Sequence, residues 1–181
     1  MLIRNAEERD FTSCLSIARR AWPDVERPAI YHLFCKFFNN TCFVCEREGR
    51  VDAFLLGFIS QVDRSDAYIH WIVVDPSAQK QGLATRLYDE FFETAKCLGA
   101  TRVRLTVSPT NTASLAFHKN AGFEPDLFGE TIEVNGVLAV KDYNGPAIHM
   151  VPFSRSLVQV EPALSARRPK ELMPDRFTPP I

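Results

Sequence analysis
The stretch Ile72-Val73-Val74-Asp75-Pro76-Ser77-Ala78-Gln79-Lys80-Gln81-Gly82-Leu83-Ala84 holds the clearest chemical signal in the chain. An apolar strand ends, a short turn follows, and a helix opens on small residues. The first turn of a helix has amide groups without intrahelical partners. Those donors and the helix dipole attract an anion. Gly82 and Ala84 let a phosphate come close to the backbone, and Lys80 adds a positive charge. A pyrophosphate suits such a turn, and so does an ordinary strand-turn-helix connection with nothing bound. The Gly-Lys-Ser/Thr ending of a P-loop is missing, as is the three-glycine spacing of a dinucleotide fingerprint.

The five cysteines, Cys14, Cys35, Cys42, Cys45 and Cys97, are odd in number and lie in apolar segments, as reduced buried thiols do. Cys42-Phe43-Val44-Cys45 has the spacing of half a zinc site, but no second Cys or His pair completes it. In a strand, positions three apart point to opposite faces. No metal is expected.

The elements that must position the turn follow from period and punctuation. Leu2 to Asn5 reads as a strand, and Asn5-Ala6-Glu7-Glu8 as a capping box opening a helix with Phe11, Cys14, Leu15 and Ala18 on one face. A second helix is expected from Pro28 to Phe38. Strands are expected at Thr41 to Glu46 and Val51 to Ser60, joined by a hairpin turn at Arg47-Glu48-Gly49-Arg50, and at Ala67 to Val74. From Gly82 to Leu98 the apolar residues Leu83, Leu87, Tyr88, Phe91, Phe92, Ala95 and Leu98 recur at helical spacing, and Gly99 caps the end. Arg102 to Val107 alternates as a strand, and Asn111 to Ala121 reads as a helix closed by Gly122. Two more strands are expected within 123–154, around Asn135-Gly136 and Asn144-Gly145-Pro146. This order implies an α/β fold with a mixed sheet covered on both faces.

The 181 residues suit one domain, and 46% apolar content places it among globular chains. The expected domain is 1–154, with 155–181 a proline-rich, extended or disordered tail. A net charge of -1 gives no global attraction to nucleic acid or an anionic membrane. The longest apolar run, Ala53 to Ile59, is too short to span a bilayer. Met1-Leu2-Ile3-Arg4-Asn5 shows no signal-peptide pattern, so the expected location is the cytoplasm.

Gln79-Lys80-Gln81-Gly82-Leu83-Ala84 resembles the Gln/Arg-x-x-Gly-x-Gly/Ala signature of the GNAT superfamily of acyl-CoA-dependent N-acyltransferases. A second block, from Asn111 to Gly122-Phe123, is similar to the same family. The resemblance covers about residues 2–153 and leaves out the tail. The resemblance implies a mixed, mostly antiparallel central sheet flanked by helices, in which the strand ending at Val74 splays from the strand 102–107. It implies acetyl-CoA as co-substrate, with pantetheine against the backbone of Ile72, Val73 and Val74 and pyrophosphate held by Gln79, Lys80, Gln81, Gly82, Leu83, Ala84 and Thr85. Asn111, Ser114, Phe117 and Lys119 would line the other side of the coenzyme. The Ile72 amide would donate to the thioester oxygen as charge develops there.

His118 stands where many members carry a general-acid Tyr, and members of the phosphinothricin acetyltransferase group resemble it in this. It could protonate the leaving thiolate, or it could pack or touch coenzyme. Many members place a carboxylate or a water chain mid-strand as the base. His70 is the candidate there, two positions before Ile72 and so expected on its side, with a structural role as the alternative. Tyr31, Leu33-Phe34-Cys35, Phe38, Thr41-Cys42, Glu46, Gly57 and Val74-Asp75 loosely resemble diaminobutyrate acetyltransferases, which suggests a small amine or amino acid as acceptor. The acceptor would be framed by Trp22 to Asn40 and Phe128 to Gly145, with Asp24, Glu26 and Asp142 as candidate negative charges. A homodimer is left open. The rival readings are an acyl-CoA-binding sensor without turnover and a protein N-terminal or lysine acetyltransferase.

Overall fold
The computed structural model describes residues 1–23 and 32–158. Thirteen elements carry the argument. They are β1 (Leu2–Asn5), α1 (Phe11–Ala21), α2 (His32–Phe37), β2 (Phe43–Arg47), β3 (Arg50–Ile59), β4 (Asp66–Val74), α3 (Leu83–Cys97), β5 (Arg102–Val107), α4 (Thr112–Asn120), β6 (Glu124–Pro125), β7 (Thr131–Val134), β8 (Val137–Val140) and β9 (Val151–Ser156). Seven strands form one sheet in the order β1-β2-β3-β4-β5-β9-β6, and β7 and β8 form a separate hairpin. Every neighbouring pair is antiparallel except β4 and β5. This is the mixed sheet that the element order predicts, and its mostly antiparallel pairing is the one the resemblance implies.

Strand alternation sorts the apolar residues into two cores. On β3, Ala53 and Leu55 join the core under α3, which includes Leu83, Leu87, Phe91 and Phe92, while Phe54 and Leu56 join the core under α1 and α2, which includes Cys14, Ile17, Phe34 and Cys35. Cys42 and Cys45 fall in different cores, as positions three apart on an extended chain should. The hairpin at Arg47–Arg50 forms, with Glu48 and Gly49 both at positive φ, and Asn135-Gly136 does the same between β7 and β8. Such turns match the right-handed twist of paired strands.

Three local expectations need correction. Asn5 is no helix cap; it ends β1, opposite Phe43. The cap forms two residues later, at Glu7, where the buried Asp10 accepts the Glu7 amide at 2.8 Å and two bonds from Arg4 at 2.7 and 2.9 Å. A strand pairing outcompeted the local motif. Leu98 is not on the buried face of α3 but caps its end, 43% exposed, because Gly99 at φ 91° turns the chain back. The final strand runs to Ser156, two residues past the 123–154 range read for the last strands, and the Leu157 amide donates to the Thr101 carbonyl at 2.8 Å. The start of the second helix at Pro28, like residues 159–181, lies outside the described residues.

Candidate active site
Beyond its first turn of pairing, β4 parts from β5. The parallel register covers only Asp66↔Arg102, Ala67↔Val103 and Tyr68↔Arg104, although β4 continues to Val74 and β5 to Val107. The two strands open like a V, and the β5-facing edge of β4 past Tyr68 keeps backbone donors and acceptors for a guest. At the vertex the Tyr68 and Thr106 hydroxyls lie 3.0 Å apart and bridge the gap.

A bulge decides which side chains face which side. Leu56 sits opposite Trp71 and Gly57 opposite Ile69, so His70 is the extra residue. One inserted residue reverses the facing of all that follows. Before the bulge, Ile69 packs in the α3-side core; after it, Ile72 and Val74 do, while Trp71 and Val73 turn to the α1/α2 side. His70 stacks on Phe34 of α2, with ring centroids 4.9 Å apart and planes 9° apart. His70 and Ile72 therefore face opposite sides, and the expectation that they share one is wrong. Unbroken alternation was assumed, and the strand is not regular.

At its far end β4 runs into the turn before α3. A short 3-10 turn, Pro76–Ala78, is capped by Asp75, whose carboxylate accepts the Ser77 amide at 2.9 Å and hydroxyl at 2.7 Å. Lys80 (φ 61°) and Gly82 (φ 73°) both take left-handed backbone. Arg86 donates to the Gly82 carbonyl at 3.2 Å, so the amides of Leu83, Ala84 and Thr85 come before the helix's own ladder. Gln79, Lys80, Gln81, Gly82 and Thr85 are exposed and Ala84 half-buried; the Leu83 side chain is buried in the core, leaving only its backbone for a ligand. Val73 likewise offers backbone alone.

On α4, Asn111 is the N-cap and its side-chain oxygen accepts the Ser114 amide at 3.1 Å. Ser114 and Phe117 are half-buried and Lys119 is exposed. Phe117 stacks on Tyr88 of α3 at 5.4 Å. His118 is buried, and its Nδ1 lies 2.6 Å from the Tyr88 hydroxyl. Burial pushes His118 down to about 4 and pushes the Tyr88 phenol well above its ordinary range. At neutral pH the phenol is therefore the donor, Nδ1 the acceptor, and the ring is neutral with its proton on Nε2. Phe123 and Phe153 enclose the ring as well.

On the α1/α2 side of the sheet stand Phe58, Tyr68 and His70, and Trp22 packs on Trp71 at 4.6 Å. Asp24 and Glu26 lie outside the described residues. Asp142 spends one carboxylate oxygen on the Ala147 amide at 2.7 Å. Sequence reasoning missed the Tyr68–Thr106 bridge and a pair between Arg20 and Asp75, since each joins segments tens of residues apart and only folding brings them together. Among the described residues, no group of three or more His, Cys, Asp or Glu could hold a metal, and no helix is long and apolar enough to cross a membrane.

An open β4–β5 pair leading to a glycine turn at a helix start is the arrangement the sequence motif implied, and comparison with known proteins decides the family. The Acetyltransferase (GNAT) family model matches residues 11–123, more than half of the chain. The chain belongs to the GNAT acetyltransferase family. Within it, the chain is 28% identical over 115 residues to the L-2,4-diaminobutyric acid acetyltransferase of Halalkalibacterium halodurans, covering 64% of this chain and 61% of that protein. It is also 28% identical over 123 residues to the [ribosomal protein bS18]-alanine N-acetyltransferase of Escherichia coli, covering 67% and 79%. The match thus spans less than two thirds of the diaminobutyrate enzyme. In fold, this GNAT chain is similar to Ard1 from Thermoplasma volcanium, with a TM-score of 0.70, 21% identity and 87% and 98% coverage of the two chains. It is also similar to the diaminobutyrate acetyltransferase of Paenibacillus lautus, solved with L-2,4-diaminobutyric acid and coenzyme A, with a TM-score of 0.62, 22% identity and 87% and 95% coverage.

Proposed function
We propose that this chain transfers the acetyl group of acetyl-CoA to a primary amine of a small molecule or amino acid, by direct attack in a ternary complex. The observation that carries this is the unpaired edge of β4 leading into the Lys80–Gly82 turn. An open strand edge suits the amides of pantetheine, and exposed helix-start amides beside Lys80 suit a diphosphate. The amine nitrogen forms a bond to the thioester carbon, negative charge gathers on the carbonyl oxygen, and the carbon–sulfur bond then breaks. The Ile72 amide is assigned to that oxygen. One proton leaves the attacking amine, and the departing sulfur takes one up.

His70 is the group assigned to the amine's proton. Its place on the α1/α2 face, away from the α3 turn, supports a role toward the acceptor rather than the coenzyme. His118 is assigned to packing. Its neutral ring, held by Tyr88, has no extra proton to give at neutral pH, and a thiolate of cysteine-like basicity can take its proton from water.

The diaminobutyrate enzymes among the relatives favour a small diamino acid as acceptor. The alanine N-acetyltransferase relative, matched over larger shares of both chains, supports a second reading in which the acceptor is a protein's terminal amine. A thiol-release assay separates them. With acetyl-CoA, L-2,4-diaminobutyrate should drive steady release above the rate for a peptide beginning with alanine. Faster release with the peptide selects the second reading. Binding of acetyl-CoA with no release across an amine panel would leave a coenzyme-binding module and reject both.

A further inference from the structure
Asp75 lies at the junction between the open strand and the coenzyme turn, and its polar groups are all engaged. Its amide donates to the Asp52 carbonyl at 2.8 Å and its carbonyl accepts the Ala78 amide at 2.8 Å. One carboxylate oxygen holds Ser77, and the other accepts Arg20 Nε at 3.0 Å and a terminal guanidinium nitrogen at 2.5 Å. Arg20 sits in the last turn of α1 and is itself held by the Ser16 hydroxyl at 2.8 Å. Burial works to raise the Asp75 carboxyl, but the Ser77 and Arg20 bonds outweigh it and hold it at about 2. The carboxylate is ionised throughout the physiological range.

The geometry is unusual in what it connects. α1 packs on one face of the sheet and α3 on the other. The segment 79–82 between β4 and α3 is exposed, with two residues in left-handed backbone, so it has little core contact to fix it. The 3-10 turn before it is the anchor, and Arg20 is the tie from outside that turn which reaches the anchor's side chain. We propose that Arg20 is a positioning residue for the coenzyme: through Asp75 it pre-orders the 79–85 turn, so that the diphosphate meets amides already aimed. This rests on the coenzyme site proposed above. A turn left loose must be ordered at the moment of binding, and that cost appears as lost affinity.

The test is calorimetric titration of CoA into the full chain as wild type, Arg20→Met and Arg20→Lys, with a melting temperature for each. Arg20→Met should weaken CoA about fivefold or more. Its melting temperature should fall only modestly, because Arg20 is half-exposed and the buried Asp75 keeps both of its Ser77 bonds. Arg20→Lys, which restores one charge to Asp75, should recover most of the affinity. Unchanged affinity in Arg20→Met, or equal losses in both variants with a matching fall in melting temperature, overturns the positioning role while leaving the coenzyme site intact. A wild type that binds no CoA overturns the coenzyme site itself, and the role of Arg20 with it.

Discussion

The Tyr88–His118 bond makes a prediction that a catalytic acid would not. His118 is neutral in the fold down to about pH 4, whereas an unfolded histidine takes a proton near pH 6.5. Between those values the unfolded chain binds more protons, so stability is full above about pH 6.5 and falls as the pH drops toward 4. At ~1.4 kcal/mol per pKa unit, the loss over that window is roughly 3 kcal/mol. Urea denaturation at a series of pH values measures it. His118→Gln, which can still accept from Tyr88, should flatten the slope in that window and leave turnover of the folded enzyme nearly unchanged. A steep fall in kcat with the stability slope retained would return His118 to an acid role. The Asp75 and Asp10 carboxylates, both lowered, add their losses at more acidic pH, below the ordinary aspartate value. At this scale the sequence motif singled out His118 but carried no signal of its state, because burial sets the protonation and a partner thirty residues away sets the tautomer.

At the scale of elements, the β4 bulge and Gly57 form one device. Gly57 lies opposite Ile69, at the point where the register shifts. A Cβ there would stand 2.7 Å from the Tyr68 carbonyl and collide with the Phe91 ring of α3. Backbone cannot yield as a flexible side chain would, so Gly57→Ala should cost about 1–3 kcal/mol. For a chain of this size that is about 2–4 °C of melting temperature per kcal/mol. The same variant should disturb the Tyr68–Thr106 bridge and with it the vertex of the cleft. A melting temperature equal to wild type would show that the strands part by another means. The helices and hairpins were legible because their signals are local: period in α3, and paired positive-φ residues at Glu48-Gly49 and Asn135-Gly136. The bulge was not, since Tyr68-Ile69-His70-Trp71 reads as plain extended chain and only pairing with β3 exposes the extra residue.

Across the whole molecule, two cores on opposite faces of one sheet hold the cleft open between them. The turn proposed for the coenzyme lies on the α3 side and His70 on the α1/α2 side, so in this proposal donor and acceptor meet across the sheet edge where β4 and β5 part. The mixed sheet and the splay were anticipated from the order of elements and the two motif blocks. The ties across layers, Arg20 to Asp75 and Tyr68 to Thr106, were beyond reach, since one sequence gives no direct signal for contacts between distant segments. Amide hydrogen exchange on the full chain, with and without CoA, tests the central claim most directly. Bound coenzyme should slow exchange at the 72–74 backbone and the 79–85 turn. Protection confined elsewhere, such as the roughly 350 Å³ cavity bordered by Thr12, Ser16, Gly49 and Arg50, or no change at all, would contradict it.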